Sequence, residues 1–148
     1  MEGRLSHSKR DELLREPLTA VLATERKAGG VHAVPVWFLY RGGELRVTTG
    51  RDSVKLKNAL RTGRATLCVQ RSRGNDLRYV TAEGSVRVEP CSIEERRELW
   101  AHYTDEATAA AMAAGDLSGL CVLVLTPTAG PRSPSRSRRA SSTRAQSR

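Results

Sequence analysis

Residues 78–89, RYVTAEGSVRVE, alternate between two kinds of side chain without a break. One set is small and apolar: Val80, Ala82, Gly84, Val86 and Val88. The other set is mostly polar: Tyr79, Thr81, Glu83, Ser85, Arg87 and Glu89. Successive side chains of a β-strand point to opposite faces, so this pattern predicts a strand with one face on a hydrophobic core.

Five further segments on either side of this strand have the composition of strands. They are residues 18–24, 31–40, 45–49, 64–70 and 120–125. Short turns at residues 26–30 and at Gly42-Gly43 predict antiparallel neighbours. Helices are expected from Ser8 to Pro17, from about Ser53 to Gly63, from Ser92 to Tyr103 and from Asp105 to Gly115. Six strands, with one helix after the third and two before the sixth, favour a small antiparallel β-barrel over a βαβ sheet.

The composition predicts one domain followed by a basic tail. The chain has 148 residues and a net charge of +9, but six of its 25 basic residues lie beyond Pro131, where there is no acidic residue, so residues 1–131 carry only +3. We therefore expect a domain at residues 1–127 and a disordered Arg/Ser-rich tail at residues 128–148. The tail has no aromatic residue for base stacking, so nucleic-acid binding is not expected. The polar N-terminus, the absence of an 18-residue apolar run and the scattered cysteines favour a cytoplasmic protein.

Residues 47–58, VTTGRDSVKLKN, place cations at the start of a helix, where the backbone dipole favours negative charge. If Asp52 or Ser53 caps this helix, free N–H groups of its first turn and the Lys55 ammonium can bind a phosphate. Lys57 lies about 200° around the helix from Lys55, so the two are not expected to share one anion. In the alternative interpretation Asp52 caps the helix and neutralises Arg51, and both lysines face water.

Pro35, within the segment Ala33-Val34-Pro35-Val36-Trp37, has no N–H and implies a strand edge that can face a ligand. The order of these motifs, in residues 22–69 and 78–90, resembles the flavin-binding split-barrel family of pyridoxamine phosphate oxidase-like proteins. The likeness covers residues 10–127 and is greatest to the branch that uses the deazaflavin coenzyme F420. It implies a mainly β, six-stranded antiparallel split barrel of Greek-key type with flanking helices.

The resemblance also implies a homodimer with two cofactor sites between its subunits. Val34, Pro35 and Val36 would lie beside the cofactor ring, and Trp37 would either border the ring or pack in the core or dimer interface. The phosphate end would contact Thr48, Thr49, Ser53 and Lys55. His32 and Tyr79 are the candidate substrate contacts.

The implied activity is hydride transfer from reduced F420 to a small organic acceptor, with no catalytic side chain required because the cofactor carries the chemistry. The alternatives are an FMN-dependent reductase or oxidase of the same fold and a non-catalytic cofactor-binding protein. The family's pyridoxamine phosphate oxidases have arginine where Ala33 stands, which argues against that reaction. No metal is expected, because His7, His32 and His102 lack ligand spacing.

Overall fold

One antiparallel sheet of seven strands forms the body of the computed structural model, which describes residues 6–128. The strands are β1 Ala20–Glu25, β2 Val31–Val36, β3 Leu39–Arg41, β4 Glu44–Gly50, β5 Arg64–Arg73, β6 Asp76–Pro90 and β7 Leu120–Pro127. The helices are α1 His7–Leu14, α2 Val54–Thr62, α3 Ile93–Tyr103 and α4 Glu106–Ala113. The strand order is β2-β1-β5-β6-β7-β4-β3.

The two edge strands of this sheet are neighbours in sequence. Only Trp37 and Phe38 separate the end of β2 from the start of β3, and three residue steps span at most about 11 Å. The two edges must therefore approach each other, which curls the sheet into a barrel. The mainly β, antiparallel prediction is confirmed. The count of six strands is wrong because residues 31–40 form two strands rather than one.

The barrel interior is filled by alternate residues of the strands. Val34 in β2 lies opposite Leu22 in β1, which lies opposite Leu67 in β5 and then Ala82 in β6. Leu22, Leu67 and Ala82 are each about 1% exposed, and Phe38 is fully buried. The buried positions of β6 are those predicted from its alternation, although Val88 near its end is 36% exposed.

Helix α3 packs against β4 and β7 on the outside of the barrel. Arg46 and Val124 are cross-strand partners and share that face, and the Arg46 guanidinium binds the carboxylate of Glu95 in α3. Val122 and Val124 are therefore buried on the outside of the barrel, while Leu123 is buried inside it. The continuous apolar run of residues 120–125 is typical of a strand buried on both faces.

Local capping sets the helix boundaries. Ser53, Ser92 and Asp105 are the N-caps of α2, α3 and α4. For α1 the expected start at Ser8 is wrong, because Ser6 accepts the N–H of Lys9 and caps a helix that begins at His7. Gly63 ends α2 with φ +75°, a conformation that favours glycine.

Strand β7 ends close to the limit of the described residues. The N–H of Thr128 donates to the carbonyl of Glu83 at 2.9 Å. Residues 129–148, for which the sequence predicts a disordered tail, lie outside the described residues. Within residues 6–128, none of the helices has the length and apolar character needed to cross a membrane.

Candidate functional site

The amino end of α2 is built by three side chains that the sequence places within seven residues. The hydroxyl oxygen of Ser53 accepts the N–H of Leu56 at 3.3 Å and the hydroxyl of Thr49 at 3.0 Å. Because both bonds use Ser53 as acceptor, its own proton is left to donate to another group. Thr49 is 5% exposed, so it orients Ser53 from below rather than facing solvent.

Lys55 is half-buried in the first turn of α2, and this turn contains no acidic residue. Among residues 6–128, no carboxylate lies within 4 Å of its ammonium group. Asp52 is exposed and Ser53 is the N-cap, so the prediction of Asp52 as the cap is wrong. Arg51 turns away and donates from Nε to the carbonyl of Ser118 at 2.9 Å. The helix end thus combines free N–H groups, a hydroxyl donor and one cation, which is the donor set that a phosphate requires.

Thr48 faces the opposite side of β4 from Thr49. Its cross-strand partner is Val122, which is buried beneath α3 on the outside of the barrel, whereas Thr49 pairs with Cys121 in the core. Burial raises the pKa of the Cys91 thiol, and a hydrogen bond from Thr48 acts in the other direction. The structure therefore does not bring Thr48 together with Ser53 and Lys55, because adjacent positions of a strand point to opposite faces.

Strand β2 offers its backbone on one side. In the hairpin that joins β1 to β2, the N–H of Arg26 donates to the carbonyl of Gly30 at 3.0 Å. Because hydrogen-bonded pairs alternate along an antiparallel ladder, Leu22/Val34 and Ala20/Val36 are hydrogen-bonded pairs as well. The backbone groups of the alternate residues Ala33 and Pro35 point away from β1. Since β2 is an edge strand of the described sheet, these groups face outward.

Pro35 suits this edge because its missing N–H is on the outward side, where no ladder bond is lost. The outward edge then presents the N–H and carbonyl of Ala33 and the carbonyl of Pro35. Val34 and Val36 direct their backbone to β1 and their half-buried side chains inward. Of the three predicted ring-contacting residues, Pro35 is the one whose backbone is free to meet a ligand.

Helix α2 and strand β2 are connected through β1. Asn58 donates to the hydroxyl of Thr24 at 3.2 Å, and the Arg61 guanidinium donates to the carbonyl of Glu25. These contacts make α2 run in the same sense as β1. The amino end of α2 therefore lies back toward Leu22, the cross-strand partner of Val34.

Trp37 belongs to an aromatic cluster with α3. Its ring is stacked on Tyr103 with centroids 4.5 Å apart and planes within 4°, and it meets the edge of Trp100 at 5.0 Å. Burial raises the pKa of Tyr103 to about 12. Trp37 thus packs against α3 of the same chain at the point where β2 ends.

The two predicted substrate contacts lie on different faces. His32 is half-buried opposite Thr24, on the inward face of β2, and its Nδ1 is buried without a hydrogen-bond partner. Tyr79 is half-buried in β6 opposite Gln70, on the outward face. The described residues bring no three His, Cys, Asp or Glu side chains together as metal ligands.

The outward face of β2, β1, β5 and β6 carries mostly small and apolar side chains. Cross-strand partners form two rows, which we call the outer face: Pro35, Val21, Cys68 and Thr81, then Ala33, Ala23, Thr66 and Glu83. Val21 is 45% exposed. A groove of about 640 Å³ adjoins the second row and is lined by residues that include Val31, Arg64 and Ser85. None of the sequence-predicted site residues lines this groove.

Sequence reasoning missed the contributions of Tyr103 and Ala33. The sequence indicates Tyr103 only as the end of a helix, and no local signal links it to Phe38, which is 65 positions away. Ala33 was noted for the arginine it lacks. Its outward backbone follows from strand pairing, which can be deduced once the hairpin register is known.

The sheet order and the joined edges define a split-barrel protein. More particularly, a model of the pyridoxamine 5'-phosphate oxidase family matches residues 7–130, so the chain belongs to that family. No curated protein matches the sequence.

Solved structures are similar to this fold at low sequence identity. The structure of an F420 reductase is 24% identical, with 80% of this chain and 92% of that chain covered and a TM-score of 0.66. A conserved hypothetical protein from Mycobacterium tuberculosis is 19% identical, with 97% and 92% covered and a TM-score of 0.76. A FAD-binding protein from Mesorhizobium loti is 18% identical, with 90% and 98% covered and a TM-score of 0.65.

Proposed function

We propose that this protein is an oxidoreductase in which coenzyme F420 transfers hydride to a small organic acceptor. The observation that carries the proposal is the amino end of α2, where Lys55 and the free proton of Ser53 face no carboxylate of the described residues. A protein that had no anionic ligand would gain little from this arrangement, because the helix dipole disfavours a cation there.

The edge of β2 supplies the second half of the proposed site. A flavin or deazaflavin ring has a polar edge with two carbonyl acceptors and one N–H donor, which can pair with outward groups of a strand. Ala33 offers one N–H and one carbonyl, and Pro35 offers a carbonyl without a competing N–H. Trp37 borders this edge and shields one side of it from water.

The cofactor, when bound, would supply one hydride, which carries two electrons, and the reduced acceptor would take its balancing proton from water. The protein's own residues hold and orient the reactants. Lys55, Ser53 and the α2 amides bind the phosphate, Thr49 orients Ser53, and the edge of β2 fixes the plane of the ring. We propose His32, on the inward face, and Tyr79, on the outward face, as alternative contacts for the acceptor, and no side chain is assigned a proton-transfer role.

We further propose a homodimer that associates through the outer face. Its two rows contain one charged residue, Glu83, and its apolar Val21 is 45% exposed. A second copy packed there would bury these side chains and place its own strands beside the free edge of β2. The cofactor would then lie in a groove between two subunits, where water is excluded.

Titration of the purified full-length chain with F420 and with FMN, followed by fluorescence of each cofactor, tests the function. We expect saturable binding of F420, and reoxidation of bound reduced F420 when an unsaturated acceptor is added. Binding of FMN alone would replace the proposal with the flavin-dependent alternative. Binding of F420 without turnover of any acceptor would favour the non-catalytic alternative, and binding of neither would overturn the assignment.

A further inference from the structure

The β1–β2 ladder has a hydroxyl group at the place of its next main-chain hydrogen bond. Hydrogen-bonded pairs alternate along an antiparallel ladder, so the pair that follows Ala20/Val36 is Leu18/Phe38. A direct bond from the N–H of Phe38 to the carbonyl of Leu18 would extend the ladder. The described strands end before this pair.

Tyr103 occupies that place. The N–H of Phe38 donates to the hydroxyl oxygen of Tyr103 at 3.0 Å, and this hydroxyl lies 2.9 Å from the carbonyl of Leu18. A hydroxyl accepts and donates at once, so it relays the bond that the two strands would otherwise make directly. The carbonyl of Phe38, at 3.1 Å, is a second acceptor for the same proton.

The Tyr103 hydroxyl satisfies the Phe38 N–H and the Leu18 carbonyl, so β2 can separate from β1 here without leaving either group unpaired. Phe38 is fully buried, and its N–H has no access to water. Without the Tyr103 hydroxyl, the Phe38 N–H would either lose its hydrogen bond or pair directly with Leu18 and extend β2 along β1. Longer pairing with β1 would keep the segment after Val36 from crossing to β3 at the other edge of the sheet. Tyr103 therefore bridges the two chain segments where the direct pairing of β1 with β2 ends.

We infer that Tyr103 is a positioning residue for the cofactor ring, an inference that rests on the proposed function. In the alternation of the ladder, Trp37 follows Ala33 and Pro35, so its N–H points to the same outward edge. Tyr103 holds this residue twice, by stacking on its ring and by binding the next peptide group. The Trp37 N–H is thereby fixed as a donor to a carbonyl of the ring.

The test compares Tyr103→Phe with Tyr40→Phe in the full-length chain. Both changes remove the hydroxyl of a half-buried tyrosine, and burial raises the pKa of both phenols to about 12. The Tyr40 hydroxyl donates to Asp11 at 2.8 Å, away from the edge of β2. Affinities are measured for F420, for FMN and for inorganic phosphate, which probes the end of α2 alone.

We expect Tyr103→Phe to weaken binding of the cofactor that the wild type prefers by about tenfold, as for loss of a buried hydrogen-bond partner. Its phosphate affinity should be unchanged, and Tyr40→Phe should bind both ligands as the wild type does. Wild-type cofactor affinity in Tyr103→Phe overturns the inference alone, and so does an equal loss of phosphate affinity. A wild type that binds neither cofactor overturns the proposed function and this inference with it.

Amide hydrogen exchange in the wild type keeps the inference testable if Tyr103→Phe does not fold. The Phe38 amide should exchange slowly before cofactor is added, because it is already bonded to Tyr103. The Trp37 amide should exchange faster and become protected when cofactor binds. A Trp37 amide whose exchange is unaffected by bound cofactor contradicts the positioning role.

Discussion

Arg46 of β4 and Glu95 of α3 form an ion pair that the protein almost completely encloses. Nε of Arg46 lies 3.1 Å from Oε2 of Glu95, and the side chains are 11% and 5% exposed. Burial alone would lower the pKa of Arg46, but hydrogen bonds with Glu95 and Glu89 raise it. The pair joins α3 to the strand that leads into α2, so it supports the candidate site from the opposite face of the sheet.

Removing one member of this pair should be strongly destabilising. We expect Glu95→Ala to lower the free energy of unfolding by about 3–5 kcal/mol, because Arg46 then keeps an enclosed charge without its main partner. Replacing both residues by methionine should cost less than Glu95→Ala alone. Urea denaturation followed by circular dichroism measures each value.

The control is Arg97→Ala, which removes another ion pair of α3. Arg97 lies 3.7 Å from Glu106, and both side chains are more than half exposed. Its loss should change the free energy of unfolding by at most about 0.5 kcal/mol. If Glu95→Ala and Arg97→Ala lowered the free energy of unfolding equally, burial of the Arg46–Glu95 pair would not increase its contribution to stability.

Local patterns predicted the sheet and caps better than the long-range contacts. The alternation of residues 78–89 correctly placed Val80, Ala82 and Gly84 in the core. It could not predict that a Cβ on Gly84 would lie 2.0 Å from the carbonyl of Thr126, since that contact depends on how closely β7 approaches. The end of β2 at Val36 could not be predicted either. Apart from Pro35, residues 34–40 form one apolar and aromatic run, and the hydroxyl bound at Phe38 comes from Tyr103 of α3.

The candidate site divides in the same way. Ser53 and Lys55 were predictable because capping and the helix dipole act within one turn. The family resemblance groups Thr48 with Thr49, although neighbours on a strand face opposite sides. The cap of α3 is a local contact, because the N–H of Glu95 donates to Ser92 at 3.0 Å. The carboxylate of Glu95 binds arginines of the sheet, which no local pattern indicates.

Lys55→Ala should weaken cofactor binding by about 1–3 kcal/mol, the range for a hydrogen bond to a charged group. The matched control is Lys57→Ala, because Lys57 is exposed on another side of the same helix. The difference between the two variants should shrink at high salt, which screens the phosphate charge. Fluorescence titration at two salt concentrations measures this, and equal affinities of the two variants would contradict the placement of the phosphate.

Ser53→Ala and Ser92→Ala separate helix capping from ligand binding. Each serine accepts an N–H three residues ahead, so each change should cost about 1 kcal/mol of stability. Ser53→Ala alone should also reduce cofactor affinity, since the Ser53 proton is free to donate to a phosphate. Thermal unfolding and fluorescence titration give the two readouts, and a loss of affinity in Ser92→Ala would point to a general effect of stability.

Glu44 should contribute to acid stability over a defined pH range. Hydrogen bonds from Arg87 and Thr126 lower the pKa of Glu44 to about 2. A depressed pKa stabilises the fold above the pKa of the unfolded chain, about 4.3, and this contribution is lost as pH falls toward 2. The stability difference between wild type and Glu44→Gln should therefore be constant above about pH 5 and shrink between pH 4.5 and 2, as measured by urea unfolding across that range. A difference independent of pH would show that Glu44 is not the titrating group.

Val21→Lys tests the outer face as the dimer interface. Val21 lies between Pro35 and Cys68 and is 45% exposed, so a lysine there fits a free barrel but would place a charge within an apolar contact between subunits. We expect light scattering to show a dimeric wild type and a folded, monomeric variant with weaker cofactor binding. Ile93→Lys is the control, because Ile93 on α3 is 61% exposed and lies outside the outer face. A Val21→Lys variant that remains dimeric with unchanged cofactor affinity would show that the interface lies on another surface. The free edge of β2 would then have to bind the ring without a partner subunit.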